Sequence, residues 1–407
     1  MAITLSDTRI TVAKDADKGT SWENPFTIED LYDAAISNGW NITKLGRGTY
    51  VIDGYSIWLT SDTFMKFLNC TLIFQGIIKD TYVLYPRNIQ FGEYDETTQK
   101  TSLGCEVILN YNSAKFVRIT NLYDTSIAGK NTGDYSTYSF NELLVYGKIR
   151  NSKISNGATQ ILFGVKLDIK NTIITNCYYG MRSPLSGSNF ENVVFNNCEI
   201  GVWLYRSTNN VLKNIDARGN NIVDILNQTY LDENQENTLV GCIFDSYNNK
   251  FPKQGSEKKD SYCILNIAEF FNLKVVDSEG IPIEGASVAL FSADGQIVFE
   301  VVTDSEGNIE EKIVTRIRDE IWKRAENNYY PARTIYRYNP FKLIVEHPGK
   351  QKYETIITIN ESRKLDIALL DIPPSVFINR KIKGSLAIRQ TKGNVSVQKI
   401  TGRVNRV

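Results

Sequence analysis

NSKISN (151–156), NTIITN (171–176), NVVFNN (192–197) and NVLKNI (210–215) recur at intervals of about twenty residues. In each, an asparagine flanks a short run that alternates apolar and polar, the pattern of a half-buried strand. Such a period marks one supersecondary unit stacked on copies of itself, each hiding the apolar face of the next. The spacing sets a register: Ile154, Ile174, Phe195 and Ile215 read as one column, at steps of 20, 21 and 20. A second column runs through Tyr179-Gly180-Met181, Ile200-Gly201-Val202 and Val223-Asp224-Ile225 at steps of 21 and 23, which places a two-residue insertion between Asn209 and Asn220. Nineteen of the 38 asparagines lie within residues 141–250, so the stretch is compositionally distinct from its flanks. Inward asparagines at the turns are expected to form hydrogen-bonded ladders that satisfy buried backbone groups. Gly180 and Gly201 are expected to point outward or to mark a bend.

The pattern extends outward from there. LNCTLIFQG, GCEVILNY and NLYDTSIAG read as less regular strand-and-turn units, with an exposed polar loop at YDETTQKTS, and NTLVGCIFDS (237–246) is the last unit. Ahead of them, ITLSDTRITV alternates like a strand. Thr27-Ile-Glu-Asp30 opens a helix with a capping box, and Gly39 closes it as a C′ glycine. Residues 1–54 are expected to cap the stack, covering an edge that would otherwise recruit other chains. Repeats of this length, with asparagine at the turns and short β-branched strands, resemble the right-handed parallel β-helix of the pectate-lyase-like superfamily across about residues 50–266. The resemblance implies an architecture and no particular chemistry, because unrelated activities share the fold.

Beyond residue 266 the character changes. Val275-Val-Asp-Ser-Glu-Gly280-Ile-Pro282-Ile-Glu-Gly285-Ala286-Ser-Val288-Ala-Leu290, followed by Thr303-Asp-Ser-Glu-Gly307, sets short alternating strands between strong turn signals. This run resembles the carboxypeptidase-regulatory-like and Cna-B-like immunoglobulin-type sandwiches, which implies a non-catalytic spacer over 267–371. KIVTRIRDEIWKR has helical spacing at Ile313, Ile317 and Ile321, but the resemblance favours a strand leading into a long loop through YYPARTIYRYNPF. The segment 372–407 has eight Lys or Arg and no Asp or Glu. It alternates like strands and is read as a basic attachment tail, with Arg380, Lys381, Lys383, Arg389 and Lys392 as its contact residues; a solvated, charge-protected edge hairpin explains the same pattern. The expected organisation is a cap (1–54), a parallel β-helix (55–266), an immunoglobulin-like β-sandwich (267–371) and the tail (372–407), all-β throughout.

Composition excludes several function classes. Lys plus Arg and Asp plus Glu both number 46, which argues against a general nucleic-acid binder. The N-terminus does not read as a secretory signal, and no apolar run approaches the about 18 residues of a membrane span. The six cysteines form no CxxC pair, so they read as buried structural thiols. The chain has one histidine, His347, in a turn-like HisProGly context. That excludes Ser-His-Asp and Cys-His chemistry on the solenoid, and no GHG motif of the polygalacturonase kind is present.

The candidate acidic and basic groups on the repeat, Asp168, Asp216, Asp224, Arg182, Arg206 and Arg218, do not fall on one column, so no catalytic set is assigned. If residues 200, 202 and 204 point inward, Trp203 and Tyr205 point outward, with Tyr178 one repeat earlier. These three are the candidate site for a sugar ring or a neighbouring subunit; coverage by a local loop is the competing reading. The expected function is that of a non-enzymatic structural protein of a virion or surface assembly, such as a head fibre, tail fibre, spike or baseplate part. It would be made in the host cytoplasm and would use no cofactor and no metal. Its expected partners are other subunits of the same assembly, copies of itself in a homo-trimer and a host surface glycan, with no nucleic acid and no membrane insertion. The alternatives are a polysaccharide lyase or glycoside hydrolase of the β-helix type, and a cell-surface adhesin or surface-layer component.

Overall fold

The computed structural model describes residues 2–80, 82–85, 88–111, 115–130, 140–157, 160–161, 166–182, 184, 186–229, 234–250, 261–323 and 332–372. The chain is 57% strand and 3% helix, and its body is a parallel β-solenoid of about seven turns. A turn consists of three short strands. Thr71–Gln75, Tyr82–Tyr85 and Ile89–Phe91 form one, and Glu106–Asn110, Lys115–Ile119 and Asn121–Tyr123 form the next. Corresponding strands pair in parallel, Glu106 opposite Thr71 and Leu122 opposite Phe91. Alternation sends Leu72, Phe74, Val107 and Leu109 inward, each at most 1% exposed. Each such burial contributes about 1.5–3 kcal/mol, which no single turn could collect without its neighbours.

Asparagine is where the corners are. Asn151, Asn171, Asn192 and Asn214 occupy one corner column with φ of 50–54°, and Asn156, Asn176 and Asn197 occupy a second at 52–59°. Asparagine tolerates this left-handed backbone better than other non-glycine residues, and Gly219 (φ 76°) continues the second column. The Asn151–Asn171–Asn192 side chains are exposed; Asn192 Nδ2 donates to Asn171 Oδ1 and Asn171 Nδ2 to Asn151 Oδ1, both at 3.0 Å, and Asn151 Nδ2 donates to Thr101 Oγ1 at 2.8 Å. This corner ladder is on the surface, because the left-handed backbone turns these side chains out. The inward ladder expected at the turns is also present, through the buried Asn210 and Asn237, whose side chains bond at 3.0 Å. The Leu167 N–H donates to Ser188 Oγ, the Ser188 N–H to Asn210 Oδ1 and the Asn210 N–H to Asn237 Oδ1, at 2.9–3.1 Å.

Two register readings change. The fourth repeat is NIDARGN (214–220), not NVLKNI: Asp216 bridges to Val194, so Ala217 lies beside Phe195 and Ile215 beside Val193. Val211–Lys213 instead pairs with the earlier segment Asn189–Glu191. Gly180 and Gly201 do not face outward. Both are buried, and a Cβ on Gly180 would lie 2.4 Å from the Gly201 carbonyl oxygen and 2.7 Å from the Phe195 ring. These glycines let consecutive turns approach. The second column stands as read, with Tyr179 opposite Ile200, Ile200 opposite Val223, and Val202 opposite Ile225.

One end of the stack is covered by an antiparallel hairpin, Ile3–Ser6 with Arg9–Val12, and by the helix Ile28–Asn38. The Asp30 carboxylate accepts from the Thr27 N–H at 2.7 Å and from the Thr27 hydroxyl at 2.8 Å, and Gly39 closes the helix at φ 68°. Ile28, Leu31 and Ala35 face the core.

At the other end, the strand Ser261–Asp277 joins two cores. Its first part pairs in parallel with Gln235–Val240, the last solenoid strand on that face. Its second part pairs with Arg363–Leu369. Lys312–Lys323 runs antiparallel along its other flank. A second sheet, in the order Ile297–Val302, Ser287–Phe291, Phe341–Glu346 and Tyr353–Ile357, shares a separate apolar cluster with it: Phe271, Leu273, Val288, Leu290, Phe341, Leu343 and Ile367. Both DSEG turns have one geometry. Asp277 Oδ1 accepts from the Glu279 and Ile281 N–H groups, and Asp304 Oδ1 from those of Glu306 and Asn308, all at 2.9 Å.

KIVTRIRDEIWK is a strand, as the resemblance suggested. The long loop expected after it is in part a strand, Ala332–Arg337, paired with residues 317–322. Its Arg333 ion-pairs the fully buried Asp319, which holds this hairpin where a loop was expected.

Candidate functional site

The middle strand of each turn builds one long outer face. Ser56–Leu59, Tyr82–Tyr85 and Lys115–Ile119 belong to its first sheet, and Tyr179–Arg182, Ile200–Tyr205 and Val223–Gln228 to the next. Between their inward apolar residues, these strands hold aromatic and arginine side chains outward in two stacks.

The first stack is near the cap. The Arg9 guanidinium lies 3.7 Å from the Trp58 ring centroid and is held by Asp80 at 2.6 Å. Asp80 also accepts from the Ser56 hydroxyl at 2.6 Å. Trp58 packs on Tyr85 at 4.5 Å, Tyr85 on Tyr82 at 4.8 Å and Tyr82 on Phe116 at 5.4 Å. The Arg118 guanidinium sits 4.6 Å from the Tyr82 ring. None of these residues stood out in the sequence. The signal was the alternation of SIWL and the flanking tyrosines of YVLY.

The second stack contains two of the three candidate residues. Val202 and Leu204 are fully buried, and Trp203 and Tyr205 are half-buried on the outer side with rings 5.3 Å apart. Ile200 is only half-buried rather than inward, because the close-packed Gly201 shifts the alternation by one residue. For the same reason Tyr179, not Tyr178, meets Trp203, at 5.1 Å. Tyr178 is half-buried and touches the stack through Tyr179, edge to face at 4.6 Å. Arg182 lies opposite Trp203 in register. Its guanidinium is 4.5 Å from the Trp203 ring, 5.3 Å from Tyr179 and 5.7 Å from Tyr205.

Cation–π attraction of this kind contributes about 0.5–2 kcal/mol. Burial pushes the Tyr179 phenol up, and Arg182 works against that rise. Among the described residues, the buried Trp203 Nε1 and Arg182 Nε have no hydrogen-bond partner. The stack offers half-exposed ring edges and a cation held in place by aromatic rings.

The repeat's other charged groups have structural partners. Asp168 pairs with the buried Arg150 and accepts from Asn189 Nδ2 at 3.2 Å. Asp216 is held below the usual carboxylate range by its hydrogen bond to Arg218, 2.7 Å away. Asp224 is 1% exposed, and its Oδ2 accepts from the Asp245 and Ser246 N–H groups at 2.8 and 2.9 Å. Arg206 occupies an exposed corner at φ 55°. The three carboxylates thus serve three separate local tasks. His347 starts a turn, its carbonyl accepting from the Lys350 N–H at 3.1 Å. All six cysteines are free, and five of them are buried. Burial pushes the Cys242 and Cys263 thiols up to about 12. The proposed attachment residues Arg380, Lys381, Lys383, Arg389 and Lys392 lie outside the described residues.

No protein-family profile matches the chain, and no curated protein sequence matches it. Among solved structures, it is similar to the periplasmic alginate epimerase AlgG, at 12% identity and a TM-score of 0.29, over 57% of this chain and 64% of that one. A double mutant of the same epimerase aligns at 13% identity and a TM-score of 0.30, with the same coverage. The 3-chlorocatechol 1,2-dioxygenase from Rhodococcus opacus 1CP aligns at 13% identity and a TM-score of 0.18, over 26% of this chain and 60% of that one. The chain thus spans less than two thirds of the length of each of these structures.

Proposed function

We propose that this chain is a structural, non-enzymatic component of a virion or comparable surface assembly, of the head-fibre, tail-fibre, spike or baseplate kind. The solenoid is its rigid body, the C-terminal β unit (267–371) an immunoglobulin-type spacer, and the tail (372–407) the attachment element. It assembles with other structural subunits and with itself as a homo-trimer. The observation that carries this reading is the Arg182–Tyr179–Trp203–Tyr205 stack on an outer face of stacked turns. Half-buried Trp, Tyr and Arg are the residue types that dominate interface energetics, and a rigid stack presents them at little ordering cost. The same ring edges suit a sugar ring of a host surface glycan.

The experiment is to locate the native protein by mass spectrometry and microscopy of purified particles and cells, and to measure its oligomeric state in solution. The reading expects particle-associated protein in multimers that weaken on Trp203→Ala. A free monomer that depolymerises a polysaccharide would overturn it.

A further inference from the structure

Cys70 and Cys105 stand one above the other on adjacent turns, at the entrances to Thr71–Gln75 and Glu106–Asn110, whose register sets Thr71 opposite Glu106. Their Sγ atoms are 3.5 Å apart, and both are free thiols. Neighbouring strands in register hold backbones about 4.7–4.9 Å apart, inside the about 4.4–6.8 Å between Cα atoms that a disulfide spans.

Each of the two is 6% exposed, whereas a fully enclosed thiol would show none. Both cysteines line an open depression of about 570 Å³, together with Arg47, Asn69, Leu103 and Asp124. Gly48 and Gly104 also border it and add no side chain over the sulfurs. Gly104 admits none, since a Cβ there would lie 1.7 Å from the Asp124 carbonyl oxygen.

The solenoid contains its own control. Cys177 and Cys198 are also stacked on adjacent turns, each two residues after the paired residues Thr175 and Asn196. Both are fully buried, and their thiols donate to the Thr175 and Asn196 carbonyls at 3.2 and 3.4 Å.

We propose that Cys70 and Cys105 form a modification site, a dithiol that closes to a disulfide between adjacent turns when the protein meets a low-molecular-weight disulfide. Cys105 acts first. The hydrogen bond from Cys70 holds its sulfur below the usual thiol range, while that bond and burial push Cys70 up. Cys105 loses its proton to solvent, and its thiolate attacks one sulfur of the oxidant, giving a mixed disulfide and releasing one thiolate. Cys70 then loses its proton and attacks Cys105 Sγ, forming the Cys70–Cys105 bond and releasing the second thiolate. The two released thiolates take up the two protons. One small disulfide is thereby reduced to two thiols as two cysteines are oxidised to one disulfide. The bond ties two turns together across 35 residues of chain and restricts the unfolded chain. The proposal stands independently of the assembly role.

The test treats the folded full-length protein with oxidised glutathione, followed by intact-mass measurement, thiol counting after unfolding and non-reducing peptide mapping. The expected result is a loss of about 2 Da, the mass of two hydrogens. A single Cys70–Cys105 cross-linked peptide and a raised Tm should accompany it, all reversed by dithiothreitol. Cys70→Ser should instead retain one glutathione on Cys105. Six free thiols in a protein that remains folded would overturn the proposal. So would stable glutathione on both cysteines without a cross-link, or preferential linkage of Cys177 to Cys198.

Discussion

Arg182 and Trp203 face each other in register on adjacent turns, with the guanidinium carbon 4.5 Å from the indole ring centroid. Two residues separated by one repeat thus become a single unit of the outer face, and Tyr179 and Tyr205 extend it on either side.

Truncation of this unit should be felt in stability as well as in any binding. Trp203→Ala is expected to destabilise the solenoid by about 2–4 kcal/mol, somewhat under the cost of losing a fully buried Trp. Arg182→Met should cost less, and a double-mutant cycle between the two should show coupling of about 0.5–1 kcal/mol. Urea unfolding of the four proteins measures both. Strictly additive losses would mean that the guanidinium gains nothing from the ring.

Asn171 serves the corner in two separable ways. Its φ of 51° is a backbone demand, and its bonds to Asn151 and Asn192 form the ladder. Asn171→Ala meets neither and should cost about 1–3 kcal/mol. Asn171→Gly meets the first and should recover about half of that loss. Equal Tm values for the two variants would assign the corner to the ladder alone.

The glycines of the repeat should respond in opposite directions. Gly180→Ala sets a methyl group 2.4 Å from the Gly201 carbonyl oxygen and should cost about 1–3 kcal/mol. Gly219 has φ 76° and open space where a Cβ would stand. Gly219→Asn, which continues the column of Asn156, Asn176 and Asn197, should be neutral or stabilising by a few tenths of a kcal/mol, about the range for lost unfolded-state freedom. Thermal unfolding decides both cases.

The cap should show its own pH dependence. Burial pushes the Asp30 carboxyl up, but the Lys18 ammonium and the Thr27 amide and hydroxyl together bring it below the usual aspartate value. A carboxyl depressed in the folded state contributes stability above its unfolded pKa of about 4, and loses it as pH falls through the folded value. Asp30→Asn should therefore be less stable than the parent at pH 7, by about 1 kcal/mol. The difference should shrink steadily below about pH 4. A gap in Tm that stays constant to pH 2.5 or so would show that Asp30 acts without its charge.

The repeat, the cap helix with both of its ends, and the turn-rich second unit were legible because each rests on local chemistry. Asn at corners, Thr27 and Asp30 at a helix start, and Asp-Ser-Glu-Gly at turns satisfy the backbone within a few residues. The fourth repeat was misplaced because two of its asparagines, Asn210 and Asn214, match the pattern, and only Asn214 is in the left-handed corner column. The 332–337 strand was missed because its partner, residues 317–322, and the buried Asp319 that holds Arg333 are non-local.

The sequence by itself determined that the chain stacks, at what period, and which residue types turn its corners, because periodicity and left-handed backbone preference are properties of short segments. Only the tertiary structure decided which side chains share a face. Tyr179 replaces Tyr178 beside Trp203, Arg182 enters the stack, and Arg9, Trp58 and Tyr82 form a second one. These placements depend on a one-residue shift at two close-packed glycines and on how successive turns register, and in a period-two strand a one-residue shift exchanges the inside for the outside.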